Sequence, residues 1–227
     1  MPDGRTLLAM LQHGDSFFPS GAVSFSWGIE TLIADGKIAK AEDVERYVAH
    51  QLGGRWATSD RPVLSSAHAA GGDLAQVLTA DRLMEANSLA REQRTGSKRM
   101  GAALLNIHVR LGTAGASDYQ ARVRAETAPG HVAAVQGLLW QALGVDMDSA
   151  CRMAAHGLAT GLLGAALRLG IIGHVDSQAI LGRLHAVIED ILSALPLPPL
   201  NDLHAYAPAA DIAMMRHENQ ESRLFYN

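Results

Sequence analysis

From Met147 to Leu169 the chain runs without a proline through closely spaced apolar and small residues, and this stretch reads as one long buried helix. It is too interrupted to cross a bilayer, because only eleven residues separate His156 from Arg168 within its most apolar part. A helix of this kind must be covered by others, and the composition says which kind of core can do that. Hydrophobic residues make up 48% of the 227-residue chain but aromatics only 5%, so the interior is built from Ala, Leu, Val, Ile and Met. That mixture favours packed helices over a β-sandwich.

The rest of the chain agrees. Val44, Tyr47, Val48 and Leu52 fall on one face of a helix over 41–56. Further helices are expected over 24–33, 61–70, 73–87, 89–109, from Pro129 to Leu143, and after Asp176, with Ile180, Leu184, Val187, Ile188 and Ile191 on one side. Residues 112–117 read as a loop of small residues. Pro196, Pro198 and Pro199 then stop regular structure. The expected fold is all-α, a single globular domain of about nine or ten helices over residues 1–195. A proline-rich break and a C-terminal tail fill 196–227.

Several functions are disfavoured by the residues themselves. A net charge of −4 argues against a general nucleic-acid binder. The lone Cys151 excludes an intramolecular disulfide and a multi-cysteine metal site, and its apolar helical setting predicts an inert thiol. The N-terminus lacks the basic start and long apolar run of a secretory signal, so a cytoplasmic protein is expected. None of the ten histidines forms an H-x-x-x-H pair, although His13 with Asp15, or His217 with Glu218, could contribute to a site shared between chains. There is no G-x-S-x-G elbow and no phosphate-binding glycine loop, so no catalytic, cofactor or metal residue is assigned.

Three features remain. Arg91, Arg94 and Lys98 make a basic stripe, either a solvated helix face or a contact for an acidic protein. Gly157, Gly161 and Ala165 line one helix face with small residues, serving either internal packing or a dimer contact. The tail ends on Leu224, Phe225 and Tyr226 beside Arg223, where chain ends are usually polar, and so reads as a binding anchor that orders on its partner.

Taken together, these segments resemble the urease accessory protein UreF family over nearly the whole chain. Asp15-Ser16-Phe17-Phe18-Pro19-Ser20-Gly21 with Ser26 and Ile29-Glu30 is similar to its N-terminal signature. Arg91-Glu92 with Ser97, Gly101, Leu104 and Leu105, the stretch from His131 to Gly144, the block Ala165–Gly170 and Gln178 follow in the family's order. The ending Met215-Arg216-His217-Glu218 and Ser222-Arg223-Leu224-Phe225 completes it. Ala22-Val23 and Gln220-Glu221 depart from the usual pattern.

The resemblance implies a non-enzymatic, often dimeric factor that bridges UreD (also called UreH) and the GTPase UreG during nickel insertion into apo-urease. Nickel would be cargo in transit, and no resident cofactor is expected. It implies that the tail from Arg216 through Phe225 (Arg216, His217, Glu218, Ser222, Arg223, Leu224, Phe225) orders against UreD, and that Glu30, Arg168 and Gln178 form or support a surface for UreG. Two other readings stay open at this level. One is a GTPase-activating regulator of UreG using Arg91, Arg94 or Arg168; the other is a helical metal-dependent hydrolase.

Overall fold

In the computed structural model, residues 3–15, 17–21, 25–220 and 224–225 are described; Ser16, Ala22–Ser24, Ser222, Arg223 and the last two residues lie outside them, as does Glu221. Among the described residues the chain is all-α, with no strand. The helices are α1 (Gly4–Gly14), α2 (Ile29–Ala34), α3 (Ala41–Gln51), α4 (Arg61–Ala69), α5 (Leu74–Asn87), α6 (Arg91–Leu111), α7 (Ala116–Arg124), α8 (Val132–Ala142), α9 (Met147–Arg168), α10 (His174–Ala194) and α11 (Pro208–His217).

The most enclosed helix is α8, and not α9 as the sequence suggests. Val132, Ala133, Ala134, Val135, Gly137, Leu138, Leu139 and Trp140 are all buried, with α4, α5, α6 and α9 packed around them. Gly137 shows why: a Cβ there would sit 2.4 Å from the Leu64 carbonyl oxygen, so only glycine lets α4 and α8 touch backbone to backbone. By contrast α9 keeps an open face. A Cβ at Gly157, Gly161 or Gly164 would meet nothing within 4 Å, and these glycines instead line a groove of about 910 Å³ shared with α1 and α10.

Helix α8 also starts later than Pro129 suggests. Gly130 takes a left-handed φ of 80°, and the helix begins only after His131. The fully buried Asp81 of α5 sets this start by accepting the amides of Gly130 (2.6 Å) and His131 (2.9 Å) and the Tyr119 hydroxyl (2.6 Å). Tyr119 belongs to α7, a helix the sequence reading places partly in a loop. Its stability depends on this distant carboxylate and on burial of Ala116 and Tyr119.

Between α3 and α4 the helical path continues as a wide π-helical segment, Leu52–Asp60, with no loop. The wide turn leaves carbonyls available, and the segment after the prolines uses them: Tyr206 donates its amide to Gly54 (2.6 Å) and His204 to Thr58 (3.3 Å). Arg61 reaches the other way and donates to the Leu195 carbonyl at the end of α10 (3.1 Å). The helix α10 begins at His174, so Asp176 lies in its first turn and accepts the Gly173 amide from there (3.1 Å). After the proline stop the chain thus returns across the π-helical segment and delivers α11 to the surface of α2 and α6.

Candidate partner-binding site

The tail helix α11 packs against α2 and α6. Pro208 occupies its first turn, and Ala210, Ala213, Met214 and His217 follow at i, i+3, i+4 and i+7, all buried. The physical reason is on the other side of the contact. Gly28 has a φ of 87°, and a Cβ there would stand 3.0 Å from the Ala210 carbonyl oxygen, so the turn before α2 admits α11 only because it is glycine. Its neighbour Trp27 also holds a left-handed φ of 54°, clamped by the Tyr47 hydroxyl on its carbonyl and by the Arg55 guanidinium 4.8 Å from its ring centroid.

This turn aims Glu30 at the tail. His217 is fully buried between two carboxylates: its Nδ1 lies 3.0 and 3.1 Å from the Glu92 oxygens and its Nε2 lies 3.1 Å from Glu30 Oε2. Each ring nitrogen thus stands within hydrogen-bond distance of a different carboxyl group. Glu30 also accepts the backbone amides of Leu224 (2.7 Å) and Phe225 (3.2 Å). Phe225 is buried, and the Arg168 guanidinium of α9 caps its ring at 4.3 Å from the centroid. Burial of the guanidinium lowers its basicity from the usual arginine value.

Charged residues rim this junction. Arg216 pairs with Asp35, and Glu218 accepts from Arg91 at 3.0 Å. The Arg216 hydrogen bond holds the Asp35 carboxyl below its usual range. Beneath the tail lies a cavity of about 450 Å³ bounded by Phe25, Arg91, Glu92, Thr95 and Phe225. Outward, α11 presents Ile212 and Met215, and Leu224 is 65% exposed.

Of the residues singled out in the sequence, the structure therefore brings together Glu30, Arg168, Arg216, His217, Glu218, Leu224 and Phe225. Gln178 lies apart, exposed on α10. Ser222 and Arg223 fall outside the described residues. Glu92 and Asp35 are the participants that the site reading missed. Glu92 stood within the Arg91-Glu92 motif, but nothing local marks it as the partner of a residue 125 positions away.

The basic stripe of α6 is divided among these contacts. Arg91 serves Glu218, Arg94 donates to the Leu89 carbonyl (2.8 Å), and Lys98 pairs with Glu85 (3.0 Å). Cys151 is buried, and desolvation raises its pKa, which disfavours a reactive thiolate.

The UreF family model matches residues 38–185. A urease accessory protein UreF from Trichodesmium erythraeum (strain IMS101) is 30% identical over 226 residues, covering 97% of this chain and 96% of its own. The chain belongs to the UreF family. UreF proteins from Actinobacillus pleuropneumoniae serotype 3 (strain JL03) and Bacillus sp. (strain TB-90) are also 30% identical, each over 96% of this chain and over 97% and 98% of their own lengths. Members of this family are non-catalytic accessory factors, and the chain is not an enzyme, which removes the hydrolase reading. Among the described residues no helix is long and apolar enough to cross a membrane.

Proposed function

We propose that this chain is a non-enzymatic urease maturation factor that bridges UreD/UreH and the GTPase UreG for nickel insertion into apo-urease, with nickel as cargo. One observation carries the reading: a single carboxylate, Glu30, holds both the tail helix, through His217, and the chain end, through the amides of Leu224 and Phe225. Tail and body are thus joined at one carboxylate, and Ile212, Met215 and Leu224 are exposed apolar side chains of the tail. Exposed apolar groups rimmed by arginine and carboxylate pairs have the composition of a protein-binding face. This surface, within residues 196–227, is the proposed UreD/UreH contact.

Glu30 holds that face through its hydrogen bonds and Arg168 caps the Phe225 ring, so their effect on UreG is proposed to be indirect. Gln178, exposed on α10, is a direct candidate for the UreG side. The open glycine face of α9 is the proposed place for a homodimer contact. Arg91 and Arg94 are engaged by Glu218 and Leu89, which leaves the GTPase-activating reading without a specific observation in its favour.

Co-purification with UreD/UreH tests the proposal. Met215→Asp and Leu224→Asp alter exposed positions and should preserve the fold, yet each should weaken the complex by at least about tenfold if these groups anchor the partner. Deleting 216–227 should abolish it. Full affinity in both point variants would sink the tail assignment.

A further inference from the structure

We propose that His13 and His108 form a binding site for one first-row divalent transition metal ion, of the class of Ni²⁺ or Zn²⁺, at the junction of α1 and α6. The two Nε2 atoms face each other at 3.1 Å. Two imidazole nitrogens bound to one ion at about 2.0–2.1 Å, with an angle of about 90–110° between them, stand about 2.9–3.4 Å apart. The spacing is at present that of a hydrogen bond from His108 Nε2–H to His13 Nε2, and it is also that of two ligands on a shared ion.

The outer nitrogens strengthen the case. His13 Nδ1 lies 2.7 Å from the Ala9 carbonyl oxygen, which can only accept, so the proton sits on Nδ1 and the Nε2 lone pair points inward. His108 Nδ1 lies 2.9 Å from Thr113 Oγ1, which can accept a hydrogen bond from Nδ1–H once Nε2 turns to a metal. A carbonyl or hydroxyl on the far nitrogen is the support that fixes the tautomer and orientation of metal-bound histidine. His108 is fully buried and stacks on His13, with ring centroids 5.1 Å apart; Phe18 closes on His13 at 4.5 Å.

Among the described residues no third histidine, cysteine or carboxylate completes a metal cluster here. The site thus supplies two ligands, and water supplies the rest from the groove of about 910 Å³ that His13 lines together with Asp15. Two protein ligands with exchangeable water suit reversible capture better than permanent retention. A second pair, His156 and His185 at 3.3 Å, lines the same groove, but no far-nitrogen partner fixes either ring among the described residues. The inference stands whether or not the bridging role holds, since it concerns the isolated chain.

Titration of the untagged full-length chain with Ni²⁺, and separately with Zn²⁺, tests it by calorimetry. One ion per chain is expected, and His13→Ala should weaken binding by about tenfold or more. The helix α1 buries no residue, so that variant should keep the body of the fold even where α1 itself loosens. The double variant His156→Ala/His185→Ala should bind like the wild type. In the wild type, Zn²⁺ should shift the Nε2 resonances of both His13 and His108 in nitrogen-detected ring spectra, a readout independent of any variant. Binding weaker than about 100 μM, unchanged affinity in His13→Ala, or loss only in the double variant would each overturn the site.

Discussion

At the scale of single residues, the fold relies on a few buried carboxylates that each collect several donors. Asp81 is the clearest case, holding one hydroxyl and two backbone amides at the start of the most enclosed helix. Burial raises its pKa and that of Tyr119, whose hydroxyl donates to it. Replacing an acceptor of three bonds leaves buried donors unpaired, at a cost of about 1–3 kcal/mol for the first and less for those that find water. Asp81→Asn keeps the shape but puts an amide where only an acceptor fits. It should lower stability by about 2–3 kcal/mol in denaturant unfolding. Tyr119→Phe, which removes one of the three bonds, should cost about 1 kcal/mol. Equal losses in the two variants would show that Asp81 does not organise the start of α8.

At the scale of elements, α1 is the helix most weakly tied to the rest. It buries no residue, and its apolar Leu7, Leu8 and Leu11 stay exposed, so its contacts fall largely on Met10 and His13. Its attachment therefore follows the ionisation of the histidine pair. Burial, followed by the charge of His13, pushes the His108 pKa down to about 4, and burial lowers that of His13 as well. The unfolded chain then binds more protons than the folded one between pH 6.5 and about 4. The contribution of the pair is complete above that window and is lost as pH falls through it. Amide exchange in α1, corrected for its intrinsic pH dependence, should accelerate relative to α8 between pH 7 and pH 5. A His108 titration midpoint at the ordinary histidine value would refute this account.

The same scale shows what the sequence made legible. Helical spacing identified the buried face of α3 and its π-helical continuation, where Val44, Val48 and Leu52 are all inside. It could not tell that α8 is enclosed while α9 is open on one side, because both are rich in Ala, Leu and Gly and only the packing of neighbours distinguishes them. α7 was hidden for a related reason: its anchor is Asp81, 38 residues earlier in the chain. The motif residues Glu30, His217 and Phe225 were visible singly, whereas their meeting depends on the route across the π-helical segment.

At the scale of the molecule, that route makes the tail part of the structural core as well as a candidate binding surface. Leu203, Ala207, Ala210, Met214 and Phe225 belong to the same continuous core as α8 and α9. Met214 is fully buried and Phe225 nearly so, and full burial of such a side chain contributes about 1.5–3 kcal/mol. Removing the tail also strips His217 from between Glu30 and Glu92, leaving two carboxylates facing each other across the vacated place. Truncation before Pro208 should therefore lower global stability by at least about 3 kcal/mol, measured by denaturant unfolding. Loss of partner binding after such a truncation would report both a missing surface and a weakened body. The exposed substitutions Met215→Asp and Leu224→Asp separate the two, because they should leave the unfolding free energy within about 0.5 kcal/mol of the wild type. A truncated chain as stable as the full one would mean that α11 rests on the body without being part of it.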